Sequence, residues 1–224
     1  MFKRVFVCAL ILAATFCLAS CGGGEKPDSK SNTNADKAVL AYAELMTQGK
    51  SDNATAASIN DADKAEIAKS MLSNFYASIA EVAPLNDQSA QAVTAAFNEK
   101  FSKDMKFTAS VKSDDAEHPT VELKTTPIDY KAAVQNAGTI DEWIALVGMV
   151  GKLKADGATD DQLKANDEVQ TLAVTALKKF VGSIPMQGEK TFDVTCDKVK
   201  GSDGKDHFAP ADMDAFTKFL TGQQ

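Results

Sequence analysis

A chain of 224 residues with 24 basic and 31 acidic side chains, formally −7 at neutral pH, can bury a core of its own. Its charge makes it a poor match for nucleic acid or anionic headgroups, and its only arginine is Arg4, so the bidentate fork that grips phosphate is missing downstream. Three of its four cysteines, Cys8, Cys17 and Cys21, fall within the first 21 residues.

The chain opens on Met1-Phe2-Lys3-Arg4, runs without charge from Val5 to Leu18, and continues as Ala19-Ser20-Cys21. A short basic region, an apolar stretch and small residues before a cleavage point make a secretion signal. The apolar stretch falls short of the roughly 20 residues that span a bilayer. Leu18-Ala19-Ser20-Cys21 resembles the lipobox of bacterial lipoproteins. Over residues 1–21 that resemblance implies diacylglycerol transfer to the Cys21 sulfur and cleavage between Ser20 and Cys21. Two or three acyl chains then give stable anchoring where one chain cannot. The expected location is extracytoplasmic, lipid-anchored in the cell membrane or the outer membrane, where no Asp after Cys21 favours the outward route. Lys3 and Arg4 are two of the 24 basic residues, so the remainder carries 22 against 31 acids. Cys196 is then left with no disulfide partner.

Residues 21–34 contain no large apolar side chain and read as a flexible tether, with a random-coil reach of roughly 20 Å. Residues 35–224 read as one globular domain. Val39, Leu40, Ala43 and Met46 share a helical face that Gly49 would close. Ile67, Met71, Leu72, Phe75, Tyr76, Ile79 and Val82 mark a second helix, ended by Pro84. Ala90, Val93, Phe97 and Phe101 mark a third, from about Asn86 to Lys103. The period then changes to two: Met105, Phe107, Ala109 and Val111 alternate with polar residues, and Val121 and Leu123 return after a turn at residues 114–119.

Thr126-Pro127-Ile128-Asp129 predicts a helix start capped by Thr126. Thr139 and Thr159 each open a capping box, with Glu142 and Gln162 at the third position. Residues 143–150 are apolar nearly all round, which predicts a helix central to the core. The helix from Thr159 is expected to bury Ala165, Val169, Leu172, Ala173, Ala176, Leu177 and Phe180. Phe192, Val194 and Cys196 alternate as a strand, and residues 210–220 form a last helix stopped by Gly222.

Ala92-Val93-Thr94-Ala95-Ala96 echoes in Ala173-Val174-Thr175-Ala176-Leu177, Phe107 in Phe192, and residues 126–129 in Ala209-Pro210-Ala211-Asp212. Such offsets suggest a degenerate tandem duplication, with pseudo-repeats at about 36–129 and 130–222. The fold class is α+β, amphipathic helices packed on antiparallel β-hairpins. With its lipobox, tether, hairpins and closing Asp203-Gly204-Lys205 and Leu220-Thr221-Gly222, the chain resembles secreted lipoproteins of Gram-positive-related bacteria. That resemblance implies a cystatin-like or nuclear-transport-factor-two-like domain, with no established reaction and no catalytic residues.

Cys196 shares the alternating face of Phe192 and Val194, the setting of a small buried hydrophobe more than of a nucleophile. His118 and His207 stand in acidic turns without zinc or calcium spacing, so no metal and no cofactor are expected. Neither a phosphate-binding glycine loop nor a Gly-x-Ser-x-Gly turn is present. Trp143, Ile144 and Val147 form the most apolar patch, a ligand or partner surface if exposed and core otherwise. These features favour a membrane-anchored, non-catalytic binding or interaction module, with an unspecified small-molecule or protein partner. The alternatives are an envelope enzyme using carboxylates or a hairpin histidine, and a purely structural envelope protein. Cys21→Ala is expected to abolish incorporation of a clickable fatty acid in labelled cells, whereas equal labelling of the variant would exclude the lipid anchor.

Overall fold

In a computed structural model the chain is described over residues 34–80, 82 and 84–223, without the side chains of residues 74 and 77–79. The signal, Ser20, Cys21 and nearly all of the tether lie outside these residues, and the expected burial of Ile79 falls on a side chain outside them. The elements are α1 (Ala35–Gln48), α2 (Asp61–Ala80), α3 (Asp87–Asp104), β1 (Thr108–Ser113), β2 (Thr120–Thr125), α4 (Tyr130–Ala137), α5 (Asp141–Ala155), α6 (Asp160–Lys164), α7 (Asp167–Ser183), β3 (Lys190–Lys200), β4 (Asp206–Pro210) and α8 (Met213–Leu220). The fold is α+β, as the periodicities require, and the order helix–strand–strand–helix occurs twice, as α3-β1-β2-α4 and α7-β3-β4-α8. Among the described residues no helix is long and apolar enough to cross a membrane.

The two hairpins join into one antiparallel sheet of order β1-β2-β3-β4. Register explains the joining. Val121 stands between Val111 and Val194, and Leu123 between Ala109 and Phe192, so the apolar rows of the two hairpins run on across the β2–β3 seam. The opposite face is wet, with Lys112 paired to Asp193 at 2.8 Å and Lys124 to Glu189 at 2.7 Å. A one-residue slip at the seam would turn Val194 and Cys196 out to solvent.

The apolar face of the sheet is covered by α1, which also contacts α2 and α3. Nine of its fourteen residues are buried, among them Ala35, Ala38, Ala41 and Ala43. Small side chains on several faces let a helix be packed from all sides at close distance. Gly49 ends it with φ of 70°, and its N–H donates to the Leu45 carbonyl at 3.0 Å. A Cβ there would collide with the Asn98 carboxamide, so glycine is required on two counts. Phe97 meets Phe101 edge-on at 4.4 Å, and Phe192 stacks on Phe219 at 4.9 Å, extending this core above and below the sheet's apolar face.

The helix expected at the centre is peripheral. Only Leu146 and Val150 of α5 are buried, packing with Leu163, Val169, Ala173 and Ala176 into a second, smaller cluster. Ile144 and Val147 are 57% and 45% exposed. Capping also departs from expectation at three places. Thr139 caps nothing: the connection after α4 is so short that its hydroxyl donates back to the Asn136 carbonyl, and Ile140 takes the N-cap position. Thr126 is no cap either, because Ile128 is held in a β-bridge to Met186 and the helix can begin only at Asp129, whose carboxylate accepts from the Ala132 N–H. The Thr159 capping box forms, but its helix stops at Lys164 and leaves Ala165 exposed. Asn166 then caps α7, its Oδ1 accepting from the N–H groups of Glu168 (3.0 Å) and Val169 (3.1 Å).

Residues 31–224 form a compact unit that contains the elements and core given above for the described residues. Replacing Asn166 with Ala is expected to lower its stability by about 1 kcal/mol, measured by urea unfolding. Thr139→Ala should change it by less than about 0.5 kcal/mol, since an exposed hydroxyl is lost and no cap with it. Equal losses in the two variants would refute this assignment of the caps.

Candidate functional site

Between α4, α5, α7 and α8 lies an open pocket of about 560 Å³. Its floor is a tie between three segments. The Ile128 N–H donates to the Leu220 carbonyl at 3.1 Å, the Asp129 N–H to Pro185 at 2.9 Å, and the Gln187 N–H to Pro127 at 2.8 Å. This tie fixes where α4 starts and hence which way its side chains face. Tyr130, Ala133, Val134 and Ala137 then line the pocket at i, i+3, i+4 and i+7, one stripe of a single helix. Leu177, Phe180 and Ile184 line it from the other side, and Met71, Phe75 and Phe97 close the back. Phe75 stacks on Phe180 with rings 6.1 Å apart and nearly parallel, which holds that wall rigid. The two alanines of α4 leave the space that larger residues would fill.

Among the described residues, no acidic or basic side chain lines the pocket. The polar groups these residues bring to it are the Tyr130 hydroxyl, the Trp143 indole N–H and a group of three at the α8 end. Thr217 and Thr221 donate their hydroxyls to the carbonyls of Met213 (2.7 Å) and Thr217 (2.8 Å), keeping oxygen lone pairs as acceptors, and Gln223 stands exposed at the rim. Tyr130 and Val134 are about half exposed at the mouth. Volume, apolar walls and a few grouped polar atoms are the properties of small-molecule sites.

The residues singled out from the sequence fall in different places. Trp143 lines this pocket, while Ile144 and Val147 of the same helix face outward beside it. Cys196 is buried on the sheet's inner face, away from the pocket lining. Burial first, and the Asp197 carboxylate second, push its thiol up to about 12, so at neutral pH it is no thiolate nucleophile. His118 is exposed, with Nδ1 2.9 Å from Asp197 Oδ1. His207 is buried, its Nε2 3.3 Å from the Tyr42 hydroxyl and its Nδ1 without a partner. Among the described residues, no three His, Cys, Asp or Glu side chains are placed to hold a metal. The stripe at 130, 133, 134 and 137 is the signal that sequence reasoning passed over; its two alanines hid it.

Fold and pocket together define an α+β domain with an apolar cavity at the edge of its main core, whose Met71, Phe97, Ile128, Ala133 and Ile184 line it. The chain belongs to the family described as Domain of unknown function (DUF5105), whose pattern matches residues 26–137 and so includes the α4 wall of the pocket. A solved structure of similar fold is YcdA of Bacillus subtilis subsp. subtilis str. 168, described as a "putative lipoprotein", with a TM-score of 0.52 and 17% identity. The match covers 84% of this chain and 55% of that one, so the chain spans about half of that protein's length. No curated protein matches the chain.

His207 sets a pH dependence of stability. Burial holds its imidazole below the usual 6.5, against the opposing pull of Asp63, Asp203 and Asp206. The unfolded chain therefore binds the proton more tightly, and stability should fall as pH drops through 6.5 towards the lower folded value. Urea midpoints taken between about pH 7.5 and pH 5.5 should fall less for His207→Gln than for the parent. Parallel profiles would contradict the assignment.

Proposed function

We propose that the protein is a lipid-anchored component of the cell envelope whose domain binds an apolar small molecule in this pocket without transforming it. The anchoring part rests on the secretion signal and the lipobox at Cys21. The likeness to secreted lipoproteins supports it, as does the similar fold of a protein described as a "putative lipoprotein". The binding part rests on one observation: a cavity of about 560 Å³ with apolar walls and, among the described residues, no charged side chain. Water in such a space finds few partners, so its displacement by an apolar molecule is favourable, at roughly 25 cal/mol per Å² removed from solvent. A non-catalytic role fits the described lining, which holds no carboxylate, imidazole, amine or thiol to activate its hydroxyls.

Trp143 is the chain's only tryptophan and lines the pocket, so it reports on occupancy directly. Titrating residues 31–224 with a naphthylamine dye should give saturable energy transfer from Trp143 at one dye per chain. Ala137→Phe, which fills the pocket from the α4 side, should weaken that transfer by roughly tenfold or more while leaving the melting temperature nearly unchanged. Undiminished binding by this variant would show that the dye sits elsewhere and sink the reading.

A further inference from the structure

The shape and polarity of the pocket narrow its ligand beyond an unspecified apolar molecule. We infer that the natural occupant is a single acyl chain carrying an uncharged, hydrogen-bonding head, a lipid of the monoacylglycerol class. This inference rests on the envelope-anchored binding reading above and specifies its ligand.

Length argues for a chain. The lining stripe runs the full eight residues of α4, about 12 Å at 1.5 Å per residue, and continues beyond it to Ile140 and Trp143. A compact heterocycle would bring several polar atoms into this interior. Beyond the α8 end the described lining offers them only the Trp143 N–H and the Tyr130 hydroxyl, and each unpaired atom would carry a desolvation cost. A hydrocarbon chain brings none. Polar groups concentrate at the α8 end, where Thr217, Thr221 and Gln223 supply neutral donors and acceptors, and the rest of the described lining adds only the Tyr130 hydroxyl and the Trp143 indole N–H. That asymmetry matches an apolar tail with a small polar head. The head should be uncharged, because among the described residues no cation lines the pocket, the chain is formally −7, and Arg4 is its only arginine. An anionic head held there would lose hydration without gaining a counter-charge. Anchored through Cys21, the domain would sit within a tether's length of a bilayer, where acyl chains are abundant.

The test uses the full chain in its own membranes with two photoactivatable probes of equal chain length, a monoacylglycerol and a fatty acid. After illumination, adducts are mapped by peptide mass spectrometry. Monoacylglycerol adducts are expected on residues 130–143 and 177–184, roughly tenfold above those of the fatty acid. Ala137→Phe should reduce them by a similar factor. Thr221→Val, close in shape but without the hydroxyl, should reduce monoacylglycerol labelling and leave fatty-acid labelling unchanged. Equal labelling by both probes would overturn the uncharged head. Adducts confined to Ile144 and Val147 would mean bilayer contact and overturn pocket occupancy. Pocket labelling that appears only after Cys21→Ala would assign the site to the protein's own anchor and overturn a free lipid. If neither probe labels the pocket while the naphthylamine dye still binds there, the acyl assignment fails and the broader reading stands. Loss of both removes both.

Discussion

The constraint on which the rest of the structure depends is the burial of α1 between the sheet and the other N-terminal helices. A helix with neighbours on most of its circumference can approach them closely only if much of its surface is small, and four alanines among its nine buried residues meet that condition. Tyr42, Leu45 and Met46 then fill the gaps towards β4 and α2, and the continuous apolar rows of β1 to β3 form the bed on which it lies. The β2–β3 pairing follows from the same requirement. Two separate hairpins would each leave an apolar face half covered, whereas one four-stranded face matches the width of the helix layer.

With the core satisfied by α1, the long connection between β2 and β3 is free to build something else. Residues 126–189 carry α4 to α7, and only Ala133 of α4 is buried. Backbone bonds to the segments at Pro185 and Leu220 pin α4 at its start, and Ala133 alone anchors it in the core. A helix held by its ends can stand off from its neighbours, and the space it encloses is the pocket. The same arrangement accounts for the exposed Tyr130, Val134, Ile144 and Val147, all of which belong to α4 and α5.

Much of the fold was legible because periodicity reports burial on one side. The alternation of Val121, Leu123, Val194 and Cys196 marked the inner face of the sheet, and Gly49 and Asn86 marked true helix boundaries. What stayed hidden involved contacts between distant segments. Thr126 and Thr139 have the composition of caps, yet a β-bridge at Ile128 and a tight connection after Ala137 decide where those helices begin. The apolar girth of residues 143–150 looked like the signature of a central helix. Leu146 and Val150 alone are buried, Met149 packs partly buried beside them, and Trp143 serves the pocket wall while Ile144 and Val147 face outward. Conversely, α1 looked amphipathic because alanine counts weakly in any apolar stripe. The candidate site was legible only at Trp143; the α4 wall was not, since a cavity is made by the small residues that fail to fill it.

The central claim is that stability and binding are carried by different parts of the domain, α1 with the sheet for the first and α4 with α5 for the second. Native-state hydrogen exchange on the full chain, with and without a bound apolar dye, tests this division most directly. Amides of α1, β2 and β3 should exchange only through global unfolding, while those of α4 and α5 open more readily and slow selectively when the dye binds. Exchange in α5 as slow as in α1, or dye protection spread evenly over the domain, would contradict it.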